Sequence, residues 1–153
     1  VHGRFAMQYY KGASCNDAIA RVKSAVDIPV IGNGDVFSAK DYANMVSNTN
    51  CDSVLVARGA SKNPFIFSEI KNYIATGELK STDTSWRLEI ACEHARLIEK
   101  LQNENHFVSF LQFRKQAMNY IEGIPGARKA RGLICGCSCA DDFISVFDSL
   151  KVF

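Results

Sequence analysis

Long apolar runs are missing from the sequence, and none approaches the roughly 20 residues that a membrane-spanning helix needs. The sequence as it stands also lacks a basic start followed by an apolar stretch, which is the pattern of a secretory signal. A large excess of charge is absent as well, since the formal net charge is only +2. We therefore expect no membrane partner, and we expect any anionic partner to bind to a local patch of positive charge.

An initiator methionine is also missing, because the sequence opens with Val1-His2-Gly3-Arg4. This opening has the pattern of a β-strand that is already under way, so we expect the chain to be a fragment of a longer protein. Hydrophobic residues make up 47% of the sequence, which is enough for a packed core and argues against global disorder. The length of 153 residues suits one domain or two small ones.

The six cysteines are spaced irregularly, which is not typical of a disulfide framework. Together with the missing signal, this spacing predicts reduced thiols in the cytoplasm. Cys135, Cys137 and Cys139 form a C-x-C-x-C cluster, whereas zinc sites commonly use C-x-x-C and a second pair of ligands. We therefore predict no metal site, and we interpret the cluster as small buried or helix-capping side chains.

Strand-like and helix-like segments alternate over residues 1–80. Two short β-branched segments, 29–32 and 51–57, are typical of strands buried on both faces of a sheet. Helical spacing of apolar residues occurs in three segments, namely 16–26, 39–47 and 63–78. Because such alternation implies parallel strands joined by helical crossovers, the sequence predicts a parallel α/β fold.

Helical periodicity continues throughout residues 81–153. Apolar stripes predict a bundle of helices from three segments, namely 84–102, 106–123 and 140–153. The stripe of the second segment consists of Phe107, Phe110, Leu111, Met118 and Ile121. Five basic residues are opposed by Glu122 alone between positions 106 and 131: Arg114, Lys115, Arg128, Lys129 and Arg131. Such a run is either a solvated basic face or a contact surface for a nucleic-acid backbone, and the sequence leaves both interpretations open.

Both predicted strands end in a glycine-containing turn, the first in Gly32-Asn33-Gly34-Asp35 and the second in Ala57-Arg58-Gly59. Ligands of parallel α/β folds bind at the carboxyl ends of the strands, where backbone N–H groups can bind phosphate. Arg58 can add a positive charge, whereas the Asp35 carboxylate would repel phosphate unless it points elsewhere or caps the next helix. The pattern predicts a phosphate site, with two ordinary strand-to-helix turns as the alternative.

Five segments, taken in order, resemble the C-terminal half of the tRNA-dihydrouridine synthases from Val1 to about residue 145. They are VHGRFAMQYYKGAS, IPVIGNGDV, SVLVARGASKNPFIF, YIATGE and FRKQAMNYIEGIPGARKAR. The family pattern His-Gly-Arg-Thr-Arg-x-Gln-x-Tyr-x-Gly is kept at His2, Gly3, Arg4, Gln8, Tyr10 and Gly12. Phe5 and Ala6 replace its threonine and its second arginine, and Gln116 replaces a histidine of a later motif.

The resemblance implies an FMN-binding (β/α)8 TIM barrel followed by a small helical domain. Residues 1–80 would be the C-terminal part of the barrel, and residues 81–153 would be a helical tRNA-binding domain.

In this family NADPH reduces FMN, and the reduced flavin delivers hydride to a uridine of tRNA that is turned out of its stack. A cysteine supplies the proton. We expect that cysteine upstream of this chain, with the N-terminal half of the barrel, because none of the six cysteines follows a predicted strand at its carboxyl end.

The resemblance also implies roles for individual residues. The residues expected to bind FMN are His2, Asn33, Gly34, Asp35, Ala57, Arg58 and Gly59. The residues expected on the RNA side are Arg4, Gln8, Arg114, Lys115, Arg128 and Arg131. We therefore expect a piece of a cytoplasmic flavoenzyme that is inactive by itself. Two alternatives stay open: another FMN- or phosphate-binding barrel oxidoreductase, and a non-catalytic helical module that binds RNA.

Overall fold

The computed structural model describes residues 1–9, 11–80 and 82–151. Tyr10 of the family pattern lies outside the described residues, as do the last two positions of the predicted helix 140–153. The chain divides into two compact units, Val1–Ser81 and Thr82–Phe153. Among the described residues, no helix has the length and apolar character that crossing a membrane requires.

Two short parallel strands form the sheet of the first unit. Strand β1 spans Ile31–Asn33 and strand β2 spans Ser53–Leu55, so that Gly32 pairs with Val54. The predicted parallel pairing is therefore confirmed. The segment at Val1 adds to β1, because the Asn33 N–H donates to the Val1 carbonyl and His2 forms a parallel bridge with Asn33.

Among the described residues of the first unit, four α-helices accompany these strands. They are α1 (Asn16–Ala25), α2 (Ala39–Thr49), α3 (Arg58–Lys62) and α4 (Ile66–Thr76). The predicted cap of α2 is present, since the Ser38 hydroxyl accepts a hydrogen bond from the Asp41 N–H. Helix α3 was not predicted, because it begins at Arg58 inside the segment that was interpreted as a turn.

The core of the first unit lies on one face of the sheet. Its buried members are Ile19, Val30, Val36, Met45 and Cys51, with a neighbouring cluster of Ala39, Ile66 and Ile70. Ile31 and Leu55 are each 51% exposed, so the prediction that both strands are buried on both faces is wrong. Successive strand residues face opposite sides of the sheet. Gly32 faces Cys51 and Met45, the latter a residue of α2, and α1 packs against α2 on the same side.

The second unit contains four helices among its described residues. They are α5 (Thr84–Asn103), α6 (Phe110–Tyr120), α7 (Ala127–Ile134) and α8 (Ala140–Ser149). Phe143 is fully buried at its centre, and its ring lies 4.9 Å from that of Phe113 and 5.5 Å from that of Phe110. Helix α6 begins later than predicted, because Ser109 caps it. Phe107 is therefore exposed instead of lying on the buried stripe.

Candidate functional site

A small cleft opens where the carboxyl ends of β1 and β2 lie side by side. Ten residues line it: His2, Asn33, Gly34, Asp35, Val36, Phe37, Leu55, Ala57, Arg58 and Gly59. All seven residues that the sequence indicated for cofactor binding are among them. The structure adds Val36, Phe37 and Leu55, which no local signal in the sequence marked as site residues.

A glycine in each turn allows that turn to pack closely against a neighbouring segment. The α-carbon of Gly59 faces the Val36 carbonyl so closely that an added Cβ would overlap the oxygen. Gly34 has a φ of +133°, and a Cβ there would overlap the Ser14 hydroxyl. The Asn33 side-chain amide donates to the Leu55 carbonyl at 2.7 Å, which links the two strand ends directly. The cleft therefore depends on glycine at both turns.

The Asp35 carboxylate is held by several donors and does not point as a lone charge into the cleft. Arg4 binds it through both terminal nitrogens, with Nη1 donating to Oδ1 at 2.8 Å and Nη2 donating to Oδ2. The backbone N–H of Ser14 donates to Oδ2 at 2.9 Å, and Arg58 Nη2 donates to Oδ1 at 2.9 Å. The hydrogen bond from Arg4 lowers the pKa of Asp35, against the opposing effect of burial. The backbone hydrogen bond from Ser14 and the charges of both arginines act in the same direction as Arg4.

These pairings answer the objection that Asp35 would repel a phosphate. Two arginine charges and one carboxylate charge leave this part of the cleft with a net charge of +1. Arg58 is the more accessible of the two cations, with 42% of its side chain exposed, compared with 6% for Arg4. The Arg58 guanidinium also lies 5.5 Å from the centre of the Phe37 ring, so it is oriented by an anion and by an aromatic ring.

His2 lies beside this group at the edge of the cleft. Its Nδ1 accepts a hydrogen bond from the Arg4 backbone N–H at 2.9 Å. A neutral imidazole in that arrangement carries its proton on Nε2, which makes the remaining nitrogen a donor. The structure thus gives the cleft one cationic donor from Arg58 and one imidazole donor from His2.

Arg4 and Gln8, which were predicted on the RNA side, are both engaged within their own loop. Arg4 Nε and Nη2 donate to the Gly12 carbonyl, and Nη1 and Nη2 also donate to the Asp35 carboxylate. Gln8 Nε2 donates to the Lys11 carbonyl at 2.8 Å. An RNA contact by these two side chains stays a prediction, and the structure shows a bracing role for both.

The four predicted RNA-side residues of the second unit differ in exposure. Arg114 is partly buried, and its Nε and Nη2 donate to the Cys137 carbonyl at 3.2 and 2.9 Å. Lys115, Arg128 and Arg131 are exposed. On α7 the last two are three residues apart and therefore neighbours on the helix surface. A shared RNA-binding face for all four stays a prediction.

The cysteine cluster has a structural explanation at each position. Cys135 is the C-terminal cap residue of α7 and Cys139 is the N-terminal cap residue of α8. Cys137 is buried, and that burial raises the pKa of its thiol. Among the residues that the structure describes, no group of three or more histidine, cysteine or acidic side chains is arranged to hold a metal ion.

The fold and the cleft define a parallel α/β protein with a positively charged, glycine-lined site at the carboxyl ends of its strands. Comparison with known proteins gives the family. Residues 1–145 match the family model described as Dihydrouridine synthase (Dus). The chain therefore belongs to the dihydrouridine synthase family, and the family inferred from the five sequence segments is confirmed.

Individual relatives agree with this assignment. The chain is 34% identical to a "Probable tRNA-dihydrouridine synthase" of Rickettsia bellii (strain RML369-C) over 154 residues, which covers 100% of the chain and 46% of the relative. It is 35% identical to "tRNA-dihydrouridine synthase B" of Pseudomonas syringae pv. tomato over 134 residues, which covers 87% of the chain and 39% of the relative. The chain thus spans less than half the length of the relatives it matches.

Proposed function

We propose that this chain is the C-terminal portion of a tRNA-dihydrouridine synthase, an oxidoreductase that reduces uridine to dihydrouridine in tRNA with FMN as cofactor and NADPH as reductant. Residues 1–80 would form the C-terminal part of the FMN-binding TIM barrel, and residues 81–153 would form a helical tRNA-binding domain. The observation that supports this most directly is the cleft in which the family-matched turns bring Arg58 and Gly34 to one place.

The side chains of the cleft fit the phosphate group of FMN. Arg58 supplies an accessible guanidinium, which binds phosphate well because it is planar and always charged. Gly34 and Gly59 allow the close packing of the backbone that lines the cleft. His2 would lie beside the cofactor and donate through Nε2. Bound FMN would supply the hydride chemistry, while these residues bind and orient it.

The basic side chains of the second unit support tRNA as the substrate. Lys115, Arg128, Lys129 and Arg131 are all exposed, so their charges are accessible to a phosphate backbone. The three exposed basic residues of α7 favour the synthase over another flavin-dependent barrel oxidoreductase, whose small substrate gives no reason for such a patch. It equally suits a non-catalytic RNA-binding module, which the test below separates from the synthase.

The test uses the full-length protein that carries this chain. Its flavin content is measured from the absorbance spectrum, its tRNA affinity from a titration at several salt concentrations, and its activity from dihydrouridine formed with NADPH and unmodified tRNA. Flavin binding, tRNA binding and dihydrouridine formation together support the proposal. Flavin without tRNA binding indicates another barrel oxidoreductase, and tRNA binding without flavin indicates an RNA-binding module.

A further inference from the structure

We infer that Arg4 is a positioning residue for phosphate recognition, and that it acts on Arg58 through the carboxylate of Asp35. This inference rests on the proposed FMN site and adds a residue that does not line the cleft. It gives the arginine at the start of the chain a role at the cofactor, whereas the sequence pointed to RNA.

The geometry makes Arg4 the fixed end of this arrangement. Only 6% of its side chain is exposed, and its guanidinium donates both to the Gly12 carbonyl and to the Asp35 carboxylate. An arginine that holds a carboxylate with two parallel N–H groups sets its orientation as well as its position. Asp35 itself has a φ of +54°, a conformation that its neighbours must hold in place.

Asp35 transmits this orientation to Arg58. Its Oδ1 accepts from Arg4 at 2.8 Å and from Arg58 at 2.9 Å, so a single oxygen joins the two guanidinium groups. With Arg4 present, two positive charges face one negative charge. Without Arg4, the charges of Asp35 and Arg58 cancel, and Asp35 becomes a direct competitor of the phosphate for the Arg58 guanidinium.

A purely structural role for Arg4 predicts a different outcome. If Arg4 merely braces the segment that contains Gly12, its loss should weaken binding of every flavin to a similar extent. If Arg4 positions Arg58, its loss should weaken binding of FMN much more than binding of riboflavin, which is the same flavin without the phosphate. The ratio of the two dissociation constants therefore separates the two roles and does not depend on catalytic activity.

The experiment measures dissociation constants for FMN and riboflavin by flavin fluorescence in the full-length protein. We expect Arg4→Met to weaken FMN binding about tenfold more than riboflavin binding, the order expected for loss of one charge-assisted contact. Arg4→Lys keeps the charge but loses the paired contact. We therefore expect it to weaken FMN binding only about threefold more than riboflavin binding. Lys23→Met is the matched control, because it breaks a 2.7 Å ion pair with Asp52 at the opposite ends of the strands.

A double variant makes the test sharper. In an Arg58→Ala background, Arg4→Met should cause no further change in the ratio of FMN to riboflavin affinity, because the residue through which it acts is gone. If Arg58→Ala alters this ratio but Arg4→Met and Arg4→Lys do not, the positioning role is wrong and the phosphate site stands. If Arg58→Ala leaves the ratio unchanged, the phosphate site itself is wrong.

Discussion

The partly buried environment of His94 predicts that the second unit loses stability in mildly acidic solution. His94 Nδ1 lies 3.1 Å from the Tyr120 hydroxyl, and the His94 ring contacts the edge of Phe113 with centroids 4.7 Å apart. Burial lowers the pKa of His94 from its ordinary value of 6.5. The perturbation is therefore a change of pH, and the matching variant is His94→Gln.

The sign follows from the lowered pKa. The unfolded chain binds a proton at His94 near its ordinary pKa of 6.5, whereas the folded unit resists protonation until the pH is lower. The contribution of neutral His94 to folding stability is therefore fully present above the unfolded pKa. It falls as the pH drops toward the folded pKa and stops changing below the folded pKa. One proton taken up on unfolding gives a slope of at most about 1.4 kcal/mol per pH unit. Tyr120→Phe should cost about 1 kcal/mol at neutral pH, because it removes the hydroxyl that lies 3.1 Å from His94 Nδ1.

The assay uses the single tryptophan of the chain, Trp86, which lies in the first turn of α5 and reports on the second unit. Urea unfolding is followed by its fluorescence between about pH 7.5 and about pH 5.5, the range in which histidine titrates. His106→Gln is the control, since that histidine is exposed and its Nε2 lies 3.9 Å from Glu104. The reasoning would be refuted if the unfolding free energy of His94→Gln depended on pH as steeply as that of the unsubstituted chain. It would also be refuted if the unfolding free energy of the unsubstituted chain did not change with pH.

Three further predictions concern the cleft, the basic helix and catalysis. Gly59→Ala should destabilise the first unit by about 1–3 kcal/mol in chemical denaturation, because the added methyl overlaps a backbone carbonyl. Gly132→Ala, in open space within α7, should instead stabilise by about 0.5–1 kcal/mol. Arg128→Gln and Arg131→Gln should each lower the salt slope of tRNA binding by about one. Arg21→Gln in the first unit is the control and should leave the slope unchanged. Equal slopes in all three variants would contradict the proposed contact between α7 and tRNA. The 153-residue chain alone, supplied with FMN, NADPH and unmodified tRNA, should form no dihydrouridine, and turnover would show that the proton donor was misplaced.

The parallel strands and the cleft were predictable because their signals are local. Short β-branched runs, a helix cap at Ser38 and glycines after each strand are properties of a few adjacent residues. Parallel strands then place their carboxyl ends at one edge, so the two glycine-containing turns had to meet. The short helix α3 escaped prediction because five residues are too few to show a helical period.

The partners of Asp35 were not predictable, because they come from distant parts of the sequence. Arg4 is 31 positions away, Ser14 is 21 positions away and Arg58 is 23 positions away. Nothing in the spacing of these residues indicates that one carboxylate receives all three. The same reason explains the error in α6, where Leu111 fits the apolar stripe by spacing but is exposed, while Phe113 packs against Phe143.

Positive charge is distributed differently in the two units, which reconciles the two proposed anion sites with a small net charge. In the first unit, Arg4 and Arg58 share one carboxylate, so the excess is a single charge fixed at one end of a small cleft. Such a site suits one phosphate group whose position must be exact. In the second unit, Arg128 and Arg131 are exposed neighbours on one helix, a form that suits a long backbone of phosphates bound mainly by charge. A net charge of +2 is therefore compatible with both proposed anion sites, of which the first requires an exact position and the second an extended surface.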